Sequence, residues 1–331
     1  MSLRTPYLLF LGDAPDALAA KVGLGVRQWR PENCVGQRRM AGCRADATLP
    51  EMTPEDAAAQ GAATMVVGVA NRGGVIPEGW IAELRAALEA GLDLAAGLHA
   101  RLADVPELAE TARRLGRAIH DVRVPDRTYP IGDGRKRSGK RLLAVGTDCS
   151  VGKMYATLAL DAELRGRGRP CAFRATGQTG ILITGSGVPL DAVAADFISG
   201  AIEQLSPDMD PEQWDMIEGQ GSLLHPSFAG VTLGLVHGAQ PDALVLCHEP
   251  TRTTMRGVDH PIPSLEDARD AHLQAARLTN PEARCVGVAV NTSALDDGAA
   301  QACLEEIDAR LGLPTVDPVR TGVGRIADAL W

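Results

Sequence analysis

The chain has 331 residues, of which 45% are hydrophobic and 3% aromatic, and a formal net charge of −9. This length is enough for two domains of ordinary size, and the apolar residues, mostly Ala, Val and Leu, are typical of alternating strands and helices. An acidic chain without a broad basic stripe is a poor nucleic-acid binder, because phosphate neutralisation dominates that affinity.

Cysteine usage and hydropathy indicate where the protein works. The seven cysteines are odd in number and show no CxxC spacing, which disfavours a disulfide framework or a zinc ribbon. The first apolar run is too short for a signal peptide, and no stretch approaches the ~18 apolar residues of a membrane span. We therefore expect a cytoplasmic protein without a membrane partner.

The first part of the chain alternates short apolar runs with helical patterns, which predicts a small parallel sheet with covering helices over residues 1–125. The strands are predicted at Tyr7–Leu11, Thr64–Ala70, Leu92–Ala96 and Ala118–Val124, and the helices at Glu78–Ala90 and Pro106–Leu115.

A segment rich in Gly, Pro and basic residues follows and has no apolar period. We interpret residues 126–140 as a linker and its cluster Arg135–Arg137 as solvated rather than phosphate-binding.

A second domain is predicted over 141–331. Its strands are expected at Arg141–Val145, Pro170–Arg174, Asp215–Ile217, Ala243–Cys247 and Cys285–Val290, with helices near Gly152–Arg165 and at Leu190–Gln204, Leu265–Leu278 and Ala299–Leu311. The longer loops of this domain all follow strands, so in a parallel sheet they share the edge where ligands bind.

The clearest functional signal is a glycine-rich loop between the first strand and the first helix of this second domain. Glycine lets successive N–H groups turn toward phosphate oxygens, while a lysine and the helix N-terminus add positive charge. The predicted cofactor-binding residues are Gly146, Thr147, Asp148, Cys149, Ser150, Val151, Gly152, Lys153 and Met154.

Met154 stands where the common phosphate loop has a Thr or Ser that holds Mg²⁺. Since a thioether is a poor ligand for a hard cation, we predict that no metal is required.

The loop also has one residue more between its two glycines than the common form, and in this it resembles the Gly-Thr-Asp-x-x-Val-Gly-Lys-Thr loop of dethiobiotin synthetase. Ile217–Ser222 resembles the Glu-Gly-Ala-Gly-Gly loop of that family, and Arg174–Gly180 lies where the family has a substrate-side loop. Asn291 resembles its base-reading asparagine, so the resemblance adds Asn291 to the cofactor-binding residues.

The whole chain resembles the family known as domain of unknown function 1611. The resemblance rests on Asn71–Gly74, Gly97–His99 and Asp121–Arg123 in the first half, joined to a Gly-Thr-Asp-Cys-x-Val-Gly-Lys-Met loop. It implies an α/β fold in which a Rossmann-like parallel-sheet domain precedes a P-loop NTPase-like, dethiobiotin-synthetase-like domain. One branch of this family is a D-glutamate N-acetyltransferase, which implies acetyl-CoA as co-substrate and a role in amino acid catabolism. We also expect a homo-oligomer, a dimer.

Coenzyme A would explain the altered loop, because acetyl transfer breaks no phosphoryl bond and needs no Mg²⁺ ligand. Such a reaction needs a base for the amine and a donor for the oxyanion. Glu218 and His225 are the two candidate bases, although His225 could equally be a surface histidine. Lys153, or the backbone amides of 218–222, could face the oxyanion.

Carboxylate recognition on the substrate is assigned to Arg252 and Arg256, because guanidinium offers a bidentate fork; the alternative is a solvated loop. Arg174, Thr176, Gln178 and Thr179 form a second polar cluster, in which Arg174 and Gln178 are the candidate substrate residues, with an ordinary turn as the alternative. Cys149 could carry an acetyl group or simply pack the loop.

Two other functions compete with acetyl transfer. One is an ATP-dependent ligase or kinase of the dethiobiotin-synthetase type, in which Glu218 and Asp148 would hold a metal. The other is a nucleotide-sensing regulatory protein.

Overall fold

The computed structural model describes residues 2–17, 19–69 and 76–331. The chain forms two compact units, one from the segment ending at Asp126 together with Gly177–Ala192, and one from Arg127–Thr176 together with Val193–Trp331. Each unit is organised around one parallel β-sheet with helices, which confirms the predicted fold class. The division lies next to the predicted limit at residue 125, and it assigns 177–192 to the first unit. No helix among the described residues is long and apolar enough to cross a membrane.

The sheet of the first unit has the strand order β2-β1-β3-β4-β5. Its strands are β1 (Tyr7–Gly12), β2 (Cys34–Arg39), β3 (Thr64–Val67), β4 (Asp93–Ala96) and β5 (Ile119–Asp121), and its helices include α1 (Lys21–Trp29), α2 (Pro54–Ala59), α3 (Glu78–Glu89) and α4 (Pro106–Leu115). The predicted segment Asn71–Gly74 lies outside the described residues.

The sheet of the second unit has the strand order β11-β10-β9-β6-β8-β7. The strands are β6 (Lys140–Gly146), β7 (Cys171–Arg174), β8 (Trp214–Ile217), β9 (Ala243–His248), β10 (Arg284–Val290) and β11 (Thr315–Val316). The helices are α5 (Lys153–Gly166), α7 (Ile198–Leu205), α8 (Ala229–Ala239), α9 (Leu265–Arg277), α10 (Asp297–Leu311) and α11 (Gly324–Asp328), while α6 (Gln178–Thr184) belongs to the first unit.

The central strand β6 positions the candidate site. It lies between β9 and β8, and its apolar residues are buried because helices cover both faces of a parallel sheet. The chain crosses from one side of β6 to the other between β8 and β9, so the strand order reverses around β6. A crevice forms beyond the carboxyl ends of the strands at such a reversal. The loops that follow β6, β8 and β9 therefore meet there.

One predicted helix, Leu190–Gln204, is wrong as a single element. The segment forms short 3-10 turns at Leu190–Ala192 and Ala195–Phe197, and only then α7. The reason is that Ala192 belongs to the first unit and the next residue to the second, so one straight helix does not follow the path of the chain.

Arg137 was expected to be solvated, but it is only 4% exposed. Its guanidinium donates to the carbonyls of Ser206 and Gly238, at the ends of α7 and α8, where the helix dipole favours a cation. Burial lowers the pKa of Arg137 to about 10. This arginine holds two helices of the second unit together, whereas Arg135 and Lys136 are exposed.

Candidate active site

The glycine-rich loop joins β6 to α5 in the predicted strand–loop–helix order. Gly152 has φ +103° and Ser150 has φ +53°, both in the left-handed region that glycine adopts most easily. A Cβ atom on Gly146 would lie 2.7 Å from Cγ2 of Val151, so only glycine fits there. The nine residues predicted to bind the cofactor thus form one continuous segment, from the end of β6 through the loop to the start of α5.

The backbone N–H groups of this loop are available to a ligand. Within the described ranges, no hydrogen bond uses the N–H of Asp148, Cys149, Ser150, Val151 or Gly152. The loop also precedes the N-terminus of α5, whose first N–H groups lack helical partners. This arrangement suits an anion such as a phosphate.

Lys153 is the cation of the loop. It is 7% exposed, and its Nζ donates to the carbonyl of Asp148 at 2.8 Å. Burial lowers the pKa of Lys153, while Cys247, Cys149, Asp148 and Glu218 act in the opposite direction because negative charge on them favours the ammonium. The lysine therefore lies among potential anions, and a phosphate would add to the interactions that keep it charged.

The loop after β9, His248–Gly257, is held on the phosphate loop through Asp148, which is fully buried. Oδ2 of Asp148 accepts from Nη1 of Arg252 at 2.9 Å and from the backbone N–H of Arg256 at 2.8 Å. Nη1 of Arg256 donates to the hydroxyl of Ser150. The structure thus brings Arg252 and Arg256 together with the phosphate loop.

The loop after β8 lies against the other side of Lys153. Gly219 approaches so closely that a Cβ atom there would lie 1.7 Å from the carbonyl oxygen of Ala144 and 2.9 Å from Cδ of Lys153. The preceding Glu218 is 5% exposed, and its Oε2 accepts from the N–H of Thr176 at 2.9 Å. Glu218 is consequently a fixed carboxylate beside Lys153.

His225 is buried and fully engaged by the backbone. Its Nδ1 accepts from the N–H of Ser227 at 3.1 Å, which places the ring proton on Nε2, and Nε2 donates to the carbonyl of Arg256 at 3.2 Å. The ring of Phe228 packs on it, with centroids 4.6 Å apart. His225 is therefore not the surface histidine of the alternative interpretation, and it also has no lone pair directed at a substrate.

A group of three potential metal ligands near the loop is partly engaged in other contacts. Ligand atoms of Asp148, Cys149 and His225 lie within 4.8 Å of one another. However, Oδ2 of Asp148 already accepts from Arg252, and Nε2 of His225 carries a proton. Oδ1 of Asp148 is buried without a hydrogen bond, 3.9 Å from that Nε2. Burial raises the pKa of Cys149. This disfavours the thiolate, both as a metal ligand and as the nucleophile that would form an acetyl-cysteine.

Two predicted substrate residues, Arg174 and Gln178, make contacts of their own. The guanidinium of Arg174 lies 2.8 Å from the buried carboxylate of Asp215. Arg174 pairs with Ile217 on the neighbouring strand β8, and Asp215 lies two positions before Ile217. Gln178 begins α6 in the first unit, where it packs against Gly97. Neither of these contacts involves the phosphate loop.

Asn291 does lie beside the loop, since a Cβ atom on Gly152 would be 3.9 Å from the Cβ of Asn291. Its side-chain oxygen accepts from the N–H of Ser293 at 3.2 Å.

Two further polar residues lie in the site: Thr176, which belongs to the second predicted cluster, and His248, which was not a predicted site residue. Nδ1 of His248 lies 3.0 Å from the hydroxyl of Thr147, and burial lowers the pKa of His248. Thr176 binds the loop after β8 through both its N–H and its hydroxyl, which donates to the carbonyl of Glu218 at 2.7 Å. Each stands directly at or after a strand end, and that position is the only sequence signal that marks them.

Proteins of similar sequence cover the whole chain. It is 61% identical over 329 residues to a D-glutamate N-acetyltransferase of Tritonibacter scottomollicae, with 99% of each chain covered. It is 47% identical over 327 residues to a D-glutamate N-acetyltransferase of a Pseudoalteromonas species, with 98% of each covered.

A solved structure and two family models also match the chain. The crystal structure of a DUF1611 family protein from Anabaena variabilis is 33% identical, covers 99% of both chains and superimposes with a TM-score of 0.84. Residues 38–125 match the Rossmann-like domain of unknown function DUF1611_N, and residues 130–327 match the P-loop domain DUF1611_C. The chain belongs to the DUF1611 family.

Proposed function

We propose that this protein is a D-glutamate N-acetyltransferase that uses acetyl-CoA. The observation that carries the proposal is the identity of 61% and 47%, over nearly the full length, to two enzymes with this activity. The site described above has to bind a phosphorylated acyl donor and an acidic amino acid.

The phosphate loop is the proposed site for the phosphates of coenzyme A. The free N–H groups of Asp148, Cys149, Ser150 and Gly152, together with Lys153, offer donors and positive charge to a pyrophosphate. Since acetyl transfer leaves every phosphorus–oxygen bond intact, Met154 in place of a metal-binding hydroxyl does not impair the reaction.

Glu218 is the proposed general base. In the reaction, the amino nitrogen of D-glutamate loses a proton to a base and attacks the thioester carbonyl, and coenzyme A leaves as the thiolate, which then takes up a proton. Glu218 is held beside Lys153 by Thr176 and Gly219. His225 lacks a suitable lone pair. Because Lys153 binds the pyrophosphate in this proposal, the amides of 218–222 would stabilise the oxyanion.

The remaining parts of the proposal concern the setting. N-acetylation of D-glutamate would be a step in amino acid catabolism, carried out in the cytoplasm by a homodimer. Free cysteines support a reducing compartment.

The test is an assay of coenzyme A release with acetyl-CoA and each of D-glutamate, L-glutamate and D-aspartate, with the product identified by mass spectrometry. We expect N-acetyl-D-glutamate as the main product. Isothermal titration with acetyl-CoA and with ATP, each with and without Mg²⁺, runs in parallel. Binding of MgATP without acetyl-CoA binding, or turnover that consumes ATP, would replace the proposal by the ligase or kinase alternative.

A further inference from the structure

The hydrogen bonds of Arg252 argue against its use as a fork for a substrate carboxylate. Its Nε pairs with Oε2 of Glu249 at 3.1 Å. Its Nη1 donates to Oδ2 of Asp148 at 2.9 Å and to the carbonyl of Cys149 at 2.8 Å, and its Nη2 donates to the carbonyl of Ser150 at 2.6 Å. A guanidinium with these partners keeps one N–H, on Nη2, so a bidentate contact with a further carboxylate is not available.

These contacts fix the direction of two peptide groups in the phosphate loop. In a planar trans peptide, the C=O and the following N–H point in opposite directions. Because the carbonyls of Cys149 and Ser150 point toward Arg252, the N–H groups of Ser150 and Val151 point away from it. Ser150 has φ +53°, a left-handed conformation that is unfavourable for an L-residue. The bonds from Arg252 stabilise that conformation.

Asp148 in turn determines where Arg252 lies. Its carboxylate is fully buried and also binds the N–H of Arg256. Glu249 is itself 9% exposed and bonded by Thr251. Arg252 is thus held at its Nε and at its Nη1 by buried or nearly buried carboxylates. Arg256 is different, since its side chain is exposed and its Nη1 donates to the hydroxyl of Ser150.

We propose that Arg252 is a positioning residue for the anion site: together with Asp148 it aims the N–H groups of Ser150 and Val151 at the ligand's phosphates. The acceptor's carboxylate is then left to Arg256. The identity of the ligand as acetyl-CoA rests on the proposed function, whereas the orienting role concerns any pyrophosphate.

The experiment compares Arg252→Ala, Arg252→Lys and Arg256→Ala with the wild type. We measure KM for acetyl-CoA, KM for D-glutamate, and the Kd of inorganic pyrophosphate by titration calorimetry. Arg114→Ala, an exposed arginine of α4, is the control. For Arg252→Ala we expect KM for acetyl-CoA and Kd for pyrophosphate to rise about tenfold or more, with KM for D-glutamate within about twofold. The lysine variant should recover part of the loss, because an ammonium still reaches some of the same carbonyls.

The opposite pattern would overturn the proposal. If Arg252→Ala raised only KM for D-glutamate, or left both KM values and pyrophosphate binding unchanged, Arg252 would not orient the anion site. A wild-type protein that fails to bind pyrophosphate would also overturn it. A wild type that binds pyrophosphate but neither binds nor uses acetyl-CoA would refute the proposed function alone, and loss of pyrophosphate binding in Arg252→Ala would still support the role of Arg252.

Discussion

Lys153 is nearly inaccessible to solvent in the described structure, and its ammonium is bound to the carbonyl of Asp148. A phosphate that enters the loop adds a charge-assisted hydrogen bond to this ammonium. Lys153→Ala should therefore weaken coenzyme A binding by about 1–3 kcal/mol, measured by titration calorimetry. The far-ultraviolet circular dichroism spectrum should not change, because the turn depends on Gly146 and Gly152. Unchanged affinity in the folded variant would mean that the loop serves another anion.

Glu218 and His225 make different contacts, and for this reason we expect Glu218, and not His225, to be the general base. Glu218→Gln keeps an acceptor for the N–H of Thr176 but removes the basic oxygen. We expect kcat to fall by about 10²–10⁴, with KM for acetyl-CoA little changed. Glu282→Gln, at an exposed position, is the control. A Glu218→Gln enzyme with wild-type kcat would return the role to His225.

The site could be predicted from sequence only where its residues are contiguous. Gly146–Met154 was identifiable because its spacing, strand and helix all lie in one stretch. The contact between Asp148 and Arg252 joins residues 104 positions apart. Nothing in the local pattern tells whether an arginine in the loop after β9 faces a substrate or the backbone of a neighbouring loop. For this reason, the sequence alone leaves the role of Arg252 open between a substrate fork and a solvated loop residue.

At the scale of elements, the close contact between the loop after β8 and strand β6 depends on Gly219. In Gly219→Ala the new methyl group would overlap the carbonyl of Ala144, so the loop has to move away from Lys153. We expect kcat/KM to fall about 100-fold, as for misplaced catalytic groups, and stability to fall by about 1–3 kcal/mol.

The matched control for this substitution is Gly230→Ala in α8. A Cβ atom there meets nothing within 4 Å, so the substitution should leave activity unchanged and raise stability by up to about 1 kcal/mol. Urea titrations and initial rates of both variants measure the two effects. Equal behaviour of the two variants would contradict the proposed role of Gly219.

Helix α9 is joined to the same loop by His272, which is buried. Its Nδ1 donates to the carbonyl of Ala268 at 2.6 Å, and its Nε2 accepts from the N–H of Leu223 at 3.4 Å. Burial lowers the pKa of His272 to about 4 from the ordinary value of 6.5. Between these values the unfolded chain binds the proton and the folded one does not, so stability is lost as pH falls from about 6.5 to about 4.

The contribution amounts to about 3 kcal/mol at most across that interval. His272→Gln should therefore flatten the dependence of the unfolding free energy on pH between 4 and 6.5, as measured by urea titration at each pH. His260→Gln, at an exposed position, should keep the wild-type slope. An unchanged slope in His272→Gln would show that other groups dominate the acid dependence.

The elements that could be predicted from the sequence differ from the others in the burial and composition of their residues. Central strands such as β6 and β9 are continuous apolar runs, and both were predicted. Strand β2 lies at the edge of its sheet and is polar, so its pattern is weak. Helix α8 contains Gly234 and Gly238, which lower helix propensity. They are needed because a Cβ atom at either position would lie within 2.8 Å of α7.

At the scale of the whole molecule, the sequence predicted two α/β domains in series, and the contacts give two units whose chain segments interleave. The crossing at Gly177–Ala192 was not predictable, since α6 and the turns that follow it carry no composition that distinguishes one unit from the other. Local periodicity reports on burial of a segment. It does not report on which of two cores buries it.

A further prediction at this scale is that the ligand stabilises the second unit without a metal. Position 154 supplies a thioether, and the carboxylate of Asp148 is bonded by Arg252, so the charge that faces the phosphates comes from Lys153 and from backbone N–H groups. Acetyl-CoA at about 100 times its Kd should stabilise the unit that binds it by about 2.7 kcal/mol. For a unit of this size that corresponds to a Tm increase of roughly 5–10 °C.

The prediction from Met154 that no metal is required implies the same increase in excess EDTA and in excess Mg²⁺, and acetyl transfer that persists in EDTA. Differential scanning calorimetry and coenzyme A release measure the two quantities. Since two units can unfold in separate steps, the shift should occur only in the transition of the unit that contains the phosphate loop. A Tm increase that EDTA abolishes and Mg²⁺ restores, or a larger increase with MgATP than with acetyl-CoA, would instead indicate a metal–nucleotide site built on the same loop.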